Sequence, residues 1–296
     1  MRRFDHHRVR VGPLAERASL SVAGANRMDP DSAQPSAGLP EAVWSQATAC
    51  ARAVREARGR GASVMLIYGA HLLRNGAAGV VDRLLDEGWL THLATNGAGS
   101  IHDWEYAYLG RSLETVRTGV AAGTFGAWDE TGRSLHLALL AGNLGGEGYG
   151  RALGRFIVED GVRLPDPAEL EAQVRRDPLD PATAARVELL RAMDAHGWKG
   201  GRQEVVHGWK SASILASAYR HDVGITVHPG IGYDIIAVHP MFDGAVIGRA
   251  ATADFDAFCD AVEGLDGGVV LSIGSAVMGP QVFEKALSCV NNVRLQ

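Results

Sequence analysis

Two short apolar runs, Val64-Met65-Leu66-Ile67-Tyr68 and Leu90-Thr91-His92-Leu93-Ala94, bracket a stretch of helical periodicity. Between them Val80, Val81, Leu84 and Leu85 recur at helical spacing, with Asp82, Arg83, Asp86 and Glu87 on the other side. Run, helix and run make a strand–helix–strand unit. Parallel strands joined this way bring their carboxyl ends to one edge, where open α/β sheets bind ligands. Both turns expected on that edge are small or polar: Ala70, His71 and Asn75 after the first strand, Thr95 to Gly99 after the second. Glycines there let backbone N–H groups approach a phosphate or a ribose. The pattern is that of a nucleotide pocket, without the G-x-G-x-x-G fingerprint between first strand and helix.

At 296 residues the chain accommodates one large α/β domain with an insertion, or two smaller domains. A net charge of −5 and a pI near 6.1 argue against a general nucleic-acid binder. Lysine is scarce, confined to Lys199, Lys210 and Lys285, which matters because lysine is the usual amine nucleophile. Cys50, Cys259 and Cys289 are too scattered for a zinc motif or a disulfide framework and read as buried small hydrophobes. No apolar run approaches the ~20 residues that span a bilayer. No apolar stretch follows the basic Met1–Arg10, so no secretory signal is expected, and the cytoplasm is the simplest compartment.

Residues 1–38 read as an unpacked leader, polar and proline-bearing from Met28 to Ser36. It is either a disordered tail or an arm that covers a neighbouring subunit or an active site. Residues 39–296 read as a single domain that opens on a helix from Pro40 to about Arg58. From Tyr106 to Gly150 glycine is dense, around an expected strand Leu135–Leu140. The run Gly142–Gly150 lacks a P-loop lysine and reads as a packed irregular loop rather than a phosphate cradle. Pro165-Asp166-Pro167 and Asp180-Pro181 each open a helix, making a helical hairpin within an insertion over about 111–206. The α/β pattern then returns: a helix over 211–220 and a buried strand Gly224–His228 that runs into Pro229-Gly230-Ile231-Gly232-Tyr233-Asp234. A helix near 255–262, the strand Val269–Ile273, the turn Gly274–Pro280 and a helix over 282–290 follow.

Two blocks resemble the deoxyhypusine synthase family in content, order and separation. Gly69-Ala70-His71-Leu72-Leu73-Arg74-Asn75-Gly76, Ala94 to Asp103 and Tyr108-Leu109-Gly110 are similar to its T-S-N-L-I-S-S-G, T-T-A-G-G-V-E-E-D and Y-L-G. Ser213-Ile214-Leu215 through Val227, then Asp234-Ile235-Ile236, resemble its S-I-L block and the following G-D-M-I, and Val270 to Pro280 echoes its I-I-L-G-G-G-V-V-K-H. The resemblance covers roughly Ser63 to Val290. It implies a Rossmann-like parallel sheet with helices on both faces, NAD at the carboxyl edge, and a homotetramer with active sites at subunit interfaces. Carried over by position, Ala70, His71, Asn75, Thr95, Asn96, Gly97, Gly99 and Asp103 would hold the dinucleotide, with Gly274 and Ser275 opposite. Asp234 matches the aspartate that pairs with the substrate amine, while His102 stands where the family has a glutamate.

The chain also departs from the family. The family histidine would fall near Pro280, and its W-G-K lysine has no counterpart before Gln296. Hypusine formation is therefore not expected; a changed small polar substrate, an amine or a polyhydroxylated compound, is. Hydride chemistry needs a group that takes a proton near working pH, and His102 and His71 are the candidates beside Asp234. Lys210 in His207-Gly208-Trp209-Lys210 reads as a surface lysine at a helix start. His228 and His239 flank Asp234 at a spacing that fits no metal-ligand pattern, and no metal is expected. Two functions follow: an NAD-dependent enzyme acting by hydride abstraction, with or without group transfer, and a non-catalytic NAD-binding sensor or scaffold.

Overall fold

The computed structural model describes residues 4–25, 27–32, 34 and 38–296. In chain order the described elements are β1 (Ser21–Val22), α1 (Glu41–Gly59), β2 (Val64–Tyr68), α2 (Ala70–Arg74), α3 (Ala78–Asp86), β3 (His92–Asn96), α4 (Gly97–Leu109) and β4 (Arg111–Ser112). Then follow α5 (Val116–Ala122), α6 (Asp129–Leu144), α7 (Tyr149–Val158), β5 (Gly161–Leu164), α8 (Pro167–Arg176), α9 (Thr183–His196) and β6 (Gly201–Glu204). The last are α10 (Ile214–Arg220), β7 (Gly224–His228), α11 (Gly244–Glu263), β8 (Val269–Ile273) and α12 (Met278–Arg294).

Four strands form a parallel sheet in the order β7-β3-β2-β8, with Met65 opposite His92 and Val270, and Ala94 opposite Thr226. All five residues of β2 are buried, which is why that strand reads as an unbroken apolar run. Alternation divides its side chains between two cores. Leu66 and Tyr68 join Leu93 in the larger one, with Val81 and Leu85 of α3 and Leu153 of α7. Met65 and Ile67 join Ala94 in the smaller one, against Phe258 of α11 and Ala286 of α12. Helices therefore cover both faces, the Rossmann-like α/β arrangement expected from the sequence.

Between β3 and β7 lies the insertion. Asp166 accepts a hydrogen bond from the Ala168 amide ahead of Pro167 and opens α8; α9 packs against α8 as a helical hairpin. The expected strand at Leu135–Leu140 is instead the middle of α6, and every one of those residues is buried. A helix buried on all sides loses the 3.6 period that would distinguish it from a strand.

Part of the leader packs on the body. Leu14 is fully buried, Ser21 and Val22 pair antiparallel with Ser112 and Arg111, and the Gly12 amide donates to the Ala127 carbonyl. The reason is a long-range one, an ion pair described below. Residues 1–3, 26, 33 and 35–37 of that leader lie outside the described residues. Cys50 and Cys289 are exposed on α1 and α12 rather than buried, and Cys259 is half-buried. No helix among the described residues is long and apolar enough to cross a membrane.

Candidate functional site

The chain builds outward from β2 through β3 to β7 and then returns to place β8 on the other side of β2. The ends of β2 and β8 therefore mark the point where strand order reverses, the usual crevice for a ligand in an open α/β sheet. Gly69 and Gly274 meet there. The Gly69 amide donates to the Ile273 carbonyl at 3.0 Å, and a Cβ on Gly69 would overlap the Gly274 carbonyl. Gly274 has φ +67°, so both backbones depend on glycine to come this close. Around this crevice His71, Asn75 and Gly274 are exposed and Ala70 is half-buried. Ser275 is buried, its hydroxyl accepting from the Gly279 amide in the first turn of α12.

The neighbouring bend differs from the expected turn. Asn96 ends β3 and at once caps α4, accepting from the Gly99 amide at 2.8 Å. No loop separates strand from helix, so Thr95 to Gly99 are backbone and cap rather than a free cradle. Thr95 is fully buried and donates to the Tyr68 carbonyl at 2.9 Å. Side chains fill the space above both glycines: a Cβ on Gly97 would overlap the Asp234 carboxylate, and one on Gly99 the Thr95 hydroxyl. Asn96 and Ala98 remain half-buried at the rim.

Asp103 must be reassigned. It is fully buried on α4 and caps α10, accepting from the Ser213 hydroxyl and from the Ile214 amide at 2.7 Å. Burial pushes its carboxyl up to about 7, against the opposing pull of those hydrogen bonds. Fully buried between α4 and α10, it locks the two helices together.

Beside the first turns of α4 opens a cleft of about 450 Å³, lined by Arg17, Arg74, His102, Glu114, Tyr233 and Asp234 among others. Asp234 follows the carboxyl end of β7; its Oδ2 accepts from the Gly230 amide at 2.7 Å. Burial raises the Asp234 pKa, and the Gly230 amide offsets only part of that. His102 reaches the same cleft from α4, its Nδ1 2.8 Å from the Ser112 hydroxyl. That contact leaves Nε2 as the ring nitrogen available to a ligand.

Behind His102 lies a buried network that sequence reasoning missed. Arg17 grips Glu105 with two 2.7 Å hydrogen bonds, and Ser112 and Thr131 donate to the same carboxylate. Burial alone would raise the Glu105 pKa; hydrogen bonds and charges from His102 and Arg17 overcome it and hold the group at about 2. The leader thereby becomes one wall of the cleft. No local signal reveals this, because Arg17 and Glu105 are 88 positions apart.

The structure thus brings His102 and Asp234 to one cleft and places His71 on α2, toward the Gly69–Gly274 crevice. Other candidates lie apart. His228 shares the Thr226 hydroxyl with His92, and burial pushes both imidazoles down to about 4. His239 packs over Gly132 and accepts from the Met241 amide. No group of three or more His, Cys, Asp or Glu among the described residues is placed to hold a metal ion. Lys210 donates to the Val158 carbonyl and to Asp160 at 2.6 Å, outside the residues that line the cleft.

No family model matches the chain, and no curated protein matches it. Among solved structures it is similar to apo ArgZ, an arginine dihydrolase from the ornithine-ammonia cycle in cyanobacteria. That match has 13% identity and a TM-score of 0.43, over 86% of this chain and 26% of that one. It is similar to AgrE in ternary complex with ornithine and NAD+, at 14% identity and a TM-score of 0.36, over 76% of this chain and 24% of that one. A LOR/SDH protein from Methanococcus maripaludis S2 matches at 8% identity and a TM-score of 0.29, over 90% of this chain and 73% of that one. The chain spans about a quarter of the length of the ArgZ and AgrE chains.

Proposed function

We propose that this chain is an NAD-dependent enzyme of the deoxyhypusine-synthase-like group that oxidises a small amine by hydride abstraction. The observation that carries the reading is the Asp234 carboxylate, held through Oδ2 by the Gly230 amide and lining the cleft at the rim of the sheet. A buried carboxylate favours an ammonium ion over a neutral polyol, because the cation restores the solvation lost on burial.

The dinucleotide fits the crevice at the strand-order reversal. There the backbones of Gly69 and Gly274 pack against each other, with Ala70 half-buried and His71 and Gly274 exposed beside them. NAD, when bound, supplies the hydride acceptor. Asp234 holds and orients the ammonium, and His102 Nε2 takes the proton that leaves nitrogen as the carbon–nitrogen bond gains double-bond character. Lys210 takes no part, since both its contacts lie elsewhere.

A homotetramer belongs to the same reading. Only Ala57 of α1 is buried, while Val43 and Trp44 are exposed, and edge strand β8 leaves Val270 and Ile273 partly uncovered. Free thiols at Cys50, Cys259 and Cys289 suit the reducing cytoplasm.

The test is to offer purified protein NAD with spermidine, putrescine, tryptamine and polyols while the NADH absorbance is followed, for wild type and Asp234→Asn. Reduction with amines that Asp234→Asn abolishes is the expected result. Tight NAD binding without reduction across the panel would overturn the enzymatic reading and favour a non-catalytic NAD-binding protein.

A further inference from the structure

Asp234 does not face one cavity alone. A second cavity, of about 550 Å³, lies beyond it and shares Phe125, Tyr233, Asp234 and Ile235 with the cleft. The two chambers differ in chemistry. The cleft carries Arg17, Arg74, His102 and Glu114, whereas the second is walled by Phe4, Val9, Ile231, Ala237, Val238 and Phe242. Apart from Asp234, Tyr233 and His6, no ionisable side chain lines the second chamber among the described residues.

Local sequence explains how the partition is held. Gly230 has the Tyr233 ring lying over it, where any Cβ would overlap that ring. Gly126, at φ +71°, receives Ile235 at a distance a Cβ would forbid. Two glycines therefore seat the two side chains that flank Asp234. Phe4, Ile231 and Tyr233 are each more than half exposed at this rim, so apolar surface remains to be covered here.

We propose that the second chamber is a substrate subsite for the apolar body of an arylalkyl or branched-alkyl amine whose ammonium group binds Asp234. This rests on the reading of Asp234 as the amine anchor and goes beyond it by fixing substrate class. A linear polyamine would leave the chamber unfilled, and its remaining ammonium groups would find no carboxylate other than Asp234 on that wall. An aromatic or branched body gains by leaving water for a wall of phenylalanine, valine and isoleucine. The pairing of one anionic point with one apolar chamber selects a ligand with one cationic end.

The experiment is calorimetric titration of tryptamine and spermidine into the full chain, alone and with NAD. Tryptamine is expected to bind at least about ten-fold more tightly than spermidine. Ala237→Trp, which fills the chamber, should weaken tryptamine at least about ten-fold and leave spermidine within about two-fold. Val9→Trp fills the chamber from another segment of its wall and should do the same, so misfolding of either variant leaves the other to decide. Spermidine binding that needs Asp234 but is as tight as tryptamine binding, or tryptamine binding unchanged in both Trp variants, would overturn the subsite and leave the amine anchor standing. Failure of every amine to bind wild type would overturn the anchor, and the subsite with it.

Discussion

Arg17→Ala tests whether the amino-terminal segment is a wall of the site. The pair it breaks is buried on both sides, with side-chain exposures of 2% for Arg17 and 0% for Glu105. Removing one partner strands the other charge away from water, which costs roughly 3–5 kcal/mol in comparable buried pairs. Against burial, hydrogen bonds and charges from His102 and Arg17 hold the Glu105 carboxyl at about 2, below its ordinary range, so the charge left behind is one the fold must still accommodate. At roughly 2–4 °C per kcal/mol for a large domain, melting should fall by about 6–20 °C.

The pH dependence has a defined sign. The folded pKa of Glu105 lies below its unfolded value. Its stabilisation is therefore present above the unfolded carboxylate range and is lost as pH falls through about 2. In Arg17→Ala the uncompensated carboxyl rises instead, so the deficit should be largest at neutral pH and should shrink below about pH 4. Urea unfolding followed by tryptophan fluorescence at several pH values measures both quantities. Arg17→Ala within about 1 kcal/mol of wild type at neutral pH, the value of an exposed pair, would refute a docked leader. Glu105→Gln should be similarly harmful, and the double variant should recover part of the loss.

Asp234→Asn should leave melting within about 1 kcal/mol of wild type, because burial already disfavours the charge, yet weaken amine binding about ten-fold or more in calorimetric titration. In wild type, amine affinity should rise with pH through the elevated pKa of Asp234, and that rise should be missing from the Asn variant. Gly97→Ala places a Cβ against the Asp234 carboxylate; a loss of about 1–3 kcal/mol in stability together with weakened amine binding is expected. Asp103, raised to about 7, contributes stability that is full below the unfolded carboxylate range and is lost as pH rises through about 7. Asp103→Asn should flatten that decline in urea unfolding without changing NAD affinity.

The central sheet was legible because parallel strands covered on both faces read as short apolar runs. β2, β3, β7 and β8 all fall where those runs lie, β3 displaced by two residues. The glycine turns at their carboxyl ends were legible for the same reason, since only glycine admits the Gly69–Gly274 approach. Contacts far apart in sequence were not. Arg17 sits in a polar leader with no periodicity, and nothing near it points to Glu105. Asp103 occupied a position that a ligand-binding motif would use, yet its partners are the Ser213 hydroxyl and the amides of α10, 110 and more positions away. α6 misled because its leucine-rich middle is buried on every side. His102 and Asp234 were found from residue type and order, while their shared cleft depended on a helix that starts without a loop at Gly97.

A crystal of the protein soaked with NAD+ tests the cofactor assignment most directly. The dinucleotide is expected across the carboxyl ends of β3, β2 and β8, beside Ala70, Asn75 and Gly274, with its nicotinamide directed toward Asp234 and His102. Dinucleotide bound at any other edge, or none bound at saturating concentration, would contradict it.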